Sequence, residues 1–233
     1  MTVLIAAALA FILLHLLVSG TRVRDALTGA IGQGPYMGLF SLASLGLIVW
    51  MSMAYGAAQR GGGNPVYWGA SALTKEIQLG LMLVAFLLVV PGLTTPNPTS
   101  VRQEGALDRP DVVKGMLRIT RHPFLWGVAV WAAGHLMVNG DVASLILFGA
   151  LLVLAVFGTA SIDAKRKRAL GETWDAFARQ TSNVPFAAVI TGRQSFGVAQ
   201  IAEIGWWRIL LAVALWVGMI FLHPIAFGAN PLP

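Results

Sequence analysis

The sequence predicts an all-α, polytopic membrane protein of about six transmembrane helices. It adds one amphipathic helix at the cytoplasmic interface and forms a single domain over residues 1–233. Three observations predict this class. Hydrophobic residues make up 57% of the chain and charged residues only 11%, far from the balance of soluble proteins. Six apolar runs, Val3–Val18, Tyr36–Ala58, Ile77–Val90, Phe124–Val138, Val142–Ala160 and Ile209–Phe227, approach the roughly 20 residues that cross a bilayer. When those runs alternate in direction, every arginine and lysine except Arg60 and Lys75 falls on one side, which the positive-inside rule makes the cytoplasm. The expected location is a cell inner membrane, with both termini on the outer, periplasmic side.

Val3–Val18 has no charged residue ahead of it and no convincing small-residue cleavage site behind it, so it reads as a retained helix and not a signal peptide. Arg22 and Arg24 follow in the first basic loop. Tyr36–Ala58 is long enough to span unaided. Ile77–Val90 and Phe124–Val138 are short, and either borrow a turn from their flanks or sit where the bilayer thins. The segment from Pro91 to Gly105, rich in Pro, Thr and Asn, is expected to be irregular. Pro123 suits the first turn of the fourth helix, with Thr120 as its cap. The turn Val138–Asp141 makes the fourth and fifth helices an antiparallel hairpin. From Asp163 to Gln180, Leu170, Trp174, Phe177 and Ala178 recur at helical spacing opposite Lys165 to Arg168 and Arg179, the pattern of a helix lying on the cytoplasmic leaflet. Trp206 and Trp207 beside Arg208 mark the interface where the last helix begins.

The net charge of +6 sits in loops between apolar runs and not on one soluble face, so its expected partner is anionic membrane lipid and not nucleic acid. There is no cysteine, which excludes disulfides, thiolate metal sites, iron–sulfur clusters and covalent haem attachment. No Walker loop, dinucleotide fingerprint, HExxH or GxSxG motif is present.

The chemistry that remains lies with histidine. Of the four, His15, His135 and His223 fall within apolar runs and His122 at the mouth of one. Ionisable groups inside a membrane are costly and point to function. A pair of imidazoles from two helices can clamp the iron of a b-type haem without a covalent link. At about 1.5 Å rise per residue, His135 lies roughly 18 Å above Pro123, His15 roughly 10 Å in from the same side and His223 about 22 Å up. Depth makes His135 the common member and leaves His15 or His223 as its partner. Arg118, Arg121 and His122 gather at the cytoplasmic mouth, where Arg121 and His122 are expected to hold a carboxylate or phosphate, such as haem propionates.

The stretches LRITRHPFLWG, Gly134–His135, TSNVPFAAVITGR and His223–Pro224, together with HLLVSGTRVRDAL and GPYMGLFSLASLGLIVW near the start, resemble the NnrU family and its relative 15-cis-ζ-carotene isomerase over nearly the whole chain. The isomerase resemblance implies a membrane enzyme with haem b whose reduced iron promotes cis-to-trans isomerisation of a carotenoid, a hydrophobic small-molecule substrate. It implies axial ligation by His15 and His135, with His122 and His223 as further site residues. Phe124–Leu125 and the early HLLVS stand closer to the NnrU branch, whose name implies nitrite and nitric oxide metabolism, and a haem there would serve redox or NO sensing without isomerase activity. A non-enzymatic role in assembling a denitrification or electron-transfer complex is a further alternative. A more distant similarity, to isoprenylcysteine carboxyl methyltransferases, implies S-adenosylmethionine bound near Arg121 and Glu172. Ile162–Asp163 replaces the paired acids expected of that chemistry.

Overall fold

The computed structural model describes residues 1–233, all of its regular structure helical. Helices α1 (Thr2–Leu13), α2 (Arg22–Ile31), α3 (Gln33–Arg60), α4 (Ala72–Thr94), α5 (Met116–Ile119), α6 (Pro123–Val138), α7 (Val142–Leu170), α8 (Glu172–Gln180), α9 (Ala187–Ile190), α10 (Val198–Ile204) and α11 (Trp206–Phe227) follow in order. Four of them, α3, α4, α7 and α11, are long and apolar enough to cross a membrane. A fifth candidate is α1 with its π-helical extension Leu14–Val18, which bends by 78° into α2. The apolar α6 is shorter, at 16 residues or about 24 Å. This set of apolar helices is that of a multi-pass membrane protein.

Successive apolar helices run alternately between two ends of the bundle. At one end the segment after α3 joins the α6–α7 turn: Tyr67 N donates to Gly140 O (2.9 Å), and Gln59 and Asn64 both donate to Asp141 Oδ1 (2.8 and 2.9 Å). Asp141 also caps α7 through Ser144 N, which donates to Oδ1 (2.9 Å). Lys75 Nζ donates to the carbonyl of Leu232 (2.8 Å). The opposite, basic end gathers α2, α5, α8, α9, α10 and the segment 95–115.

Side chains on the outer flanks of the bundle, such as Leu42, Met53, Leu210, Phe221 and Ile225, are large, apolar and exposed. Such a surface, on helices long and apolar enough to cross a membrane, is consistent with flanks that face lipid. Because lipid tails are as apolar as leucine, the helices associate through close packing between small residues. Ala7, Ala8, Ala54, Ala143 and Ala150 bring α1, α3 and α7 together around Leu4, Phe11 and Met51. Between α4 and α6 the approach is closer: a Cβ on Gly127 would stand 2.6 Å from Val89 Cγ2, and one on Gly92 would stand 2.6 Å from the backbone nitrogen of Phe124.

Several expectations are corrected at the basic end. The residues around Arg22 and Arg24 form the capped helix α2, with Thr21 accepting from Val23 N (3.2 Å). The third apolar helix runs to Thr94, Pro91 staying inside because Thr95 N closes on its carbonyl (2.9 Å). Irregular chain therefore begins only at Thr95. Thr120 does not cap α6; its hydroxyl accepts from His122 N (3.2 Å) and donates to Asn183 O (2.6 Å). The amphipathic stretch from Asp163 is two pieces, because α7 continues to Leu170 and Gly171, at φ +52°, turns the chain into α8. The apolar side of α8 does not face a leaflet. Trp174 and Phe177, 2% and 3% exposed, pack on Leu117 of α5.

The Gly92 contact is with backbone, which cannot swing aside. Gly92→Ala is therefore expected to destabilise the protein by about 1–3 kcal/mol, whereas Gly80→Ala in the same helix, with open space around it, is expected to leave stability unchanged or raised. Thermal unfolding in detergent compares the two.

Candidate functional site

The basic end is organised by one carboxylate. Asp163, seven residues before the end of α7, accepts four hydrogen bonds: from Arg121 Nε (2.9 Å) and His122 Nε2 (2.7 Å) at Oδ1, and from Arg121 Nη2 (2.5 Å) and Asn183 Nδ2 (3.0 Å) at Oδ2. Arg121 also lies over the Trp174 ring, 5.9 Å from its centroid. His122, just ahead of α6, is 2% exposed, and burial pushes its imidazole below the ordinary value, with the Asp163 hydrogen bond opposing. The cluster thus balances one carboxylate against one guanidinium, with neutral His122 and Asn183 completing the shell.

The backbone joins the same groups. Arg121 N donates to Ser182 O (2.9 Å), Phe186 N to Ile119 O (2.8 Å), and the Trp126 indole to Asn183 O (2.8 Å). From the other side Asn97 Nδ2 and Thr99 Oγ1 donate to Arg121 O (3.0 and 2.8 Å). The two most distinctive motifs of the sequence, around Arg121–His122–Pro123 and Thr181–Ser182–Asn183, are therefore two sides of one clamp. Beside it Arg118 grips Glu203 with Nε (2.7 Å) and Nη2 (3.0 Å) and holds that carboxyl below the ordinary glutamate value.

Arg121 and His122 were expected to hold an anion from outside; the structure commits Nε and Nη2 of Arg121, and Nε2 of His122, to Asp163. Asp163 and Asn183 were not expected in this cluster. The signal for Asp163 is that it is the one acid between Asp141 and Glu172, so the basic run that includes it has a single internal counter-charge.

The apolar histidines lie deeper in the bundle. His15 sits in the π-helical turn Leu14–Val18, where Ser19 N reaches back to Leu14 O (3.1 Å); such turns recur at functional sites. Its Nδ1 donates to Phe11 O (2.8 Å), which leaves Nε2 as an acceptor, met by Ser44 Oγ at 3.2 Å. His135 repeats the arrangement: Nδ1 donates to Trp131 O (2.8 Å), and Nε2 takes no partner from the chain. Phe148 and Trp131 pack on its ring at 4.7 and 4.6 Å. His223 Nδ1 donates to Ala229 O (2.8 Å) near the end of α11.

α7 packs against both α1 and α6 and measures their offset. Gly20 faces Ser161, and His135 stacks on Phe148. His15, five residues before Gly20, is therefore about eight residues of α7, or about 12 Å, from the level of His135. Side chains lean toward the start of their own helix. α1 and α6 run oppositely, so the two imidazoles lean toward each other. One buried polar atom on the His15 side is an orphan: the Tyr36 hydroxyl has no hydrogen-bond partner, and its ring lies beside Phe40 (6.0 Å) and under Arg24 (5.8 Å).

The sequence profile described as NnrU protein matches residues 3–231. The chain belongs to the NnrU family. Among curated proteins this NnrU chain is 28% identical over 213 residues to the chloroplastic 15-cis-zeta-carotene isomerase of Arabidopsis thaliana, covering 89% of this chain and 56% of that protein. It is 26% identical over 200 residues to the Zea mays protein of the same name, covering 84% and 53%. The chain thus spans about half the length of the curated relatives it matches. No solved structure matches it.

Two outcomes are expected at the clamp. Asp163→Asn leaves the largely buried Arg121 guanidinium without its counter-charge and is expected to cost about 3 kcal/mol of stability, read by thermal unfolding in detergent. Glu203 is ionised more readily in the folded chain than in the unfolded one, so its contribution is whole above about pH 4.3 and is lost as pH falls through its lowered folded value. Glu203→Gln should flatten that part of the acid limb in unfolding midpoints measured from pH 7 to pH 3.

Proposed function

We propose that this NnrU-family chain is a six-span inner-membrane protein, basic end in the cytoplasm, that binds haem b through His15 and His135 and isomerises a cis polyene of the carotenoid type. The observation that carries the haem reading is the matched state of the two imidazoles. Each donates Nδ1–H to the carbonyl four residues earlier, and each turns the Nε2 lone pair outward as an axial ligand requires. The charge asymmetry of the bundle supports the orientation. At about 24 Å, α6 spans only with help from a thinned bilayer or from its neighbours α4 and α7.

The donor set fits the group. The orphaned Tyr36 hydroxyl and the loosely held Arg24, whose Nη2 donates to Gln33 Oε1 at 3.3 Å, are a donor pair suited to a propionate on the His15 side. Arg121 and His122, committed to Asp163, position the start of α6 in this proposal instead of holding an anion. When bound, haem supplies a redox-switchable iron able to polarise a polyene. His15 and His135 are not equivalent toward it. Ser44 offers His15 Nε2 an alternative partner, so His15 can withdraw without leaving a buried nitrogen unsatisfied, and His135 has no such place to go.

The polyene reading rests on the names of the two relatives, and its substrate is a hydrophobic molecule delivered from the bilayer. The first test is the absorption spectrum of protein purified after haem-supplemented expression, oxidised and dithionite-reduced. A sharp Soret band with split reduced α and β bands is expected. His135→Ala should lose the haem, His15→Ala should weaken binding and change the spectrum toward one strong ligand, and His223→Ala should leave the spectrum unchanged. A colourless wild-type protein, or full occupancy in His135→Ala, would overturn the haem reading. With the spectrum in place, conversion of 15-cis-ζ-carotene in liposomes separates isomerase from sensor.

A further inference from the structure

At the basic end of α4 a cavity of about 330 Å³ opens between the helix terminus and the 3₁₀ turn Glu104–Asp108. Leu93, Thr94, Arg102, Gln103 and Arg109 are among its lining residues. Two arginines with no ion pair line it. Arg118, Arg121 and Arg166 each have a carboxylate, whereas Arg102 and Arg109 line the cavity with no carboxylate within ion-pair distance. Asp108 stands at the rim, its Oδ2 3.8 Å from where a Cβ on Gly105 would sit.

Two further features fit an anion. Arg102 is held at φ +61°, one of two non-glycine residues in the left-handed region, and such strain collects where the chain presents a group to a ligand. The carbonyl end of α4, whose partial negative charge would repel an anion, is covered by Arg208, with Nε on Thr94 Oγ1 (3.1 Å) and Nη2 on Thr94 O (3.1 Å). The surroundings give the depth. Leu93 and Val101 are apolar and exposed on one side, and Trp206 and Trp207 are exposed beside Arg208, whose guanidinium lies 4.6 Å over the Trp207 ring. Exposed tryptophans beside arginine belong at the level of the lipid phosphates.

We propose that this cavity is a phosphate-anion site at the membrane face, that Arg102 and Arg109 grip the phosphate, and that its occupant is the headgroup of an anionic phospholipid. The site stands apart from His15 and His135 and does not depend on haem.

The test uses the full chain purified in detergent and equilibrated with equal amounts of phosphatidylglycerol and phosphatidylcholine, with retained lipid read by native mass spectrometry. Wild-type protein is expected to keep phosphatidylglycerol in preference. The double variant Arg102→Gln/Arg109→Gln should lower that retention about tenfold or more, and Arg60→Gln, at the other end of the bundle, should not change it. Thermal unfolding with sn-glycerol 3-phosphate against chloride of equal ionic strength identifies the source. Protection of wild type but not of the double variant by millimolar glycerol phosphate, without lipid preference, assigns the same site to a soluble phosphate ester. Equal phosphatidylglycerol retention in wild type and double variant, with no protection by glycerol phosphate, would overturn the proposal. The double variant should unfold at the wild-type temperature in phosphatidylcholine, since neither arginine is paired within the protein, and this separates lost binding from lost fold.

Discussion

The Asp163 carboxylate is the contact through which the basic end holds its shape. Its four acceptor positions take donors from the turn ahead of α6 and from the segment after α8, so a single side chain near the end of α7 joins three parts of the sequence. Two of those parts, at Arg121–His122 and at Asn183, are irregular and at least partly buried, and their polar groups need partners. A carboxylate is suited to this work because it accepts several hydrogen bonds at once and supplies the counter-charge that Arg121 needs once removed from solvent. The first consequence is the placement of α6. Pro123 follows the clamped residue directly, so the 16-residue α6 begins at a fixed point and not at the end of a free loop.

The far end and the middle of the bundle obey a different constraint. Lipid supplies no hydrophobic drive for one helix to leave it for another, so association must come from contact and from buried hydrogen bonds. Alanines carry the contact among α1, α3 and α7, and glycines carry it between α4 and α6. The hydrogen bonds concentrate at the Asp141 cap, where Gln59, Asn64 and Ser144 converge. Each end thus has one acid as its organiser, one charge-paired and one acting as a helix cap, and the apolar middle between them is left to packing and to the histidines.

Length and apolarity carried the long helices in the sequence, because a long run of Leu, Val and Ala has few alternatives in a bilayer. The parts that were not legible are those decided by partners distant in sequence. Trp174 and Phe177 have the spacing of a membrane-surface helix, and spacing alone does not say whether Leu117 or lipid covers them. Thr120 has the composition of a cap, and Asn183, sixty-three residues away, claims its hydroxyl. Arg121 and His122 were recognisable as a polar cluster at the start of α6; their commitment to Asp163 was not, since Asp163 hides in a run of basic residues that reads as topology signalling. The histidines were visible as costly residues in apolar helices. Their hydrogen-bonded tautomers, and the π-helical turn that carries His15, depend on local backbone geometry that no sequence period announces.

The offset between His15 and His135 follows from α7 more than from either of their own helices. α1 and α6 both lie against it, Ser161 meeting Gly20 and Phe148 meeting the His135 ring. Two residues beyond Ser161 the same helix carries Asp163, the centre of the clamp. A shift of α7 along its axis would therefore move the Phe148 wall against His135, the Ser161 seat beneath Gly20 and the carboxylate beneath Arg121 together. The π-helical turn lies between the Gly20 contact and His15. A turn closed from Ser19 N to Leu14 O holds one more residue than an α-helical turn, and its conversion would slide Gly20 relative to His15 without disturbing the alanine contacts of α1 closer to Leu4. The spacing of the two imidazoles is thus set by α7 on one side and by the π-helical turn that carries His15 on the other.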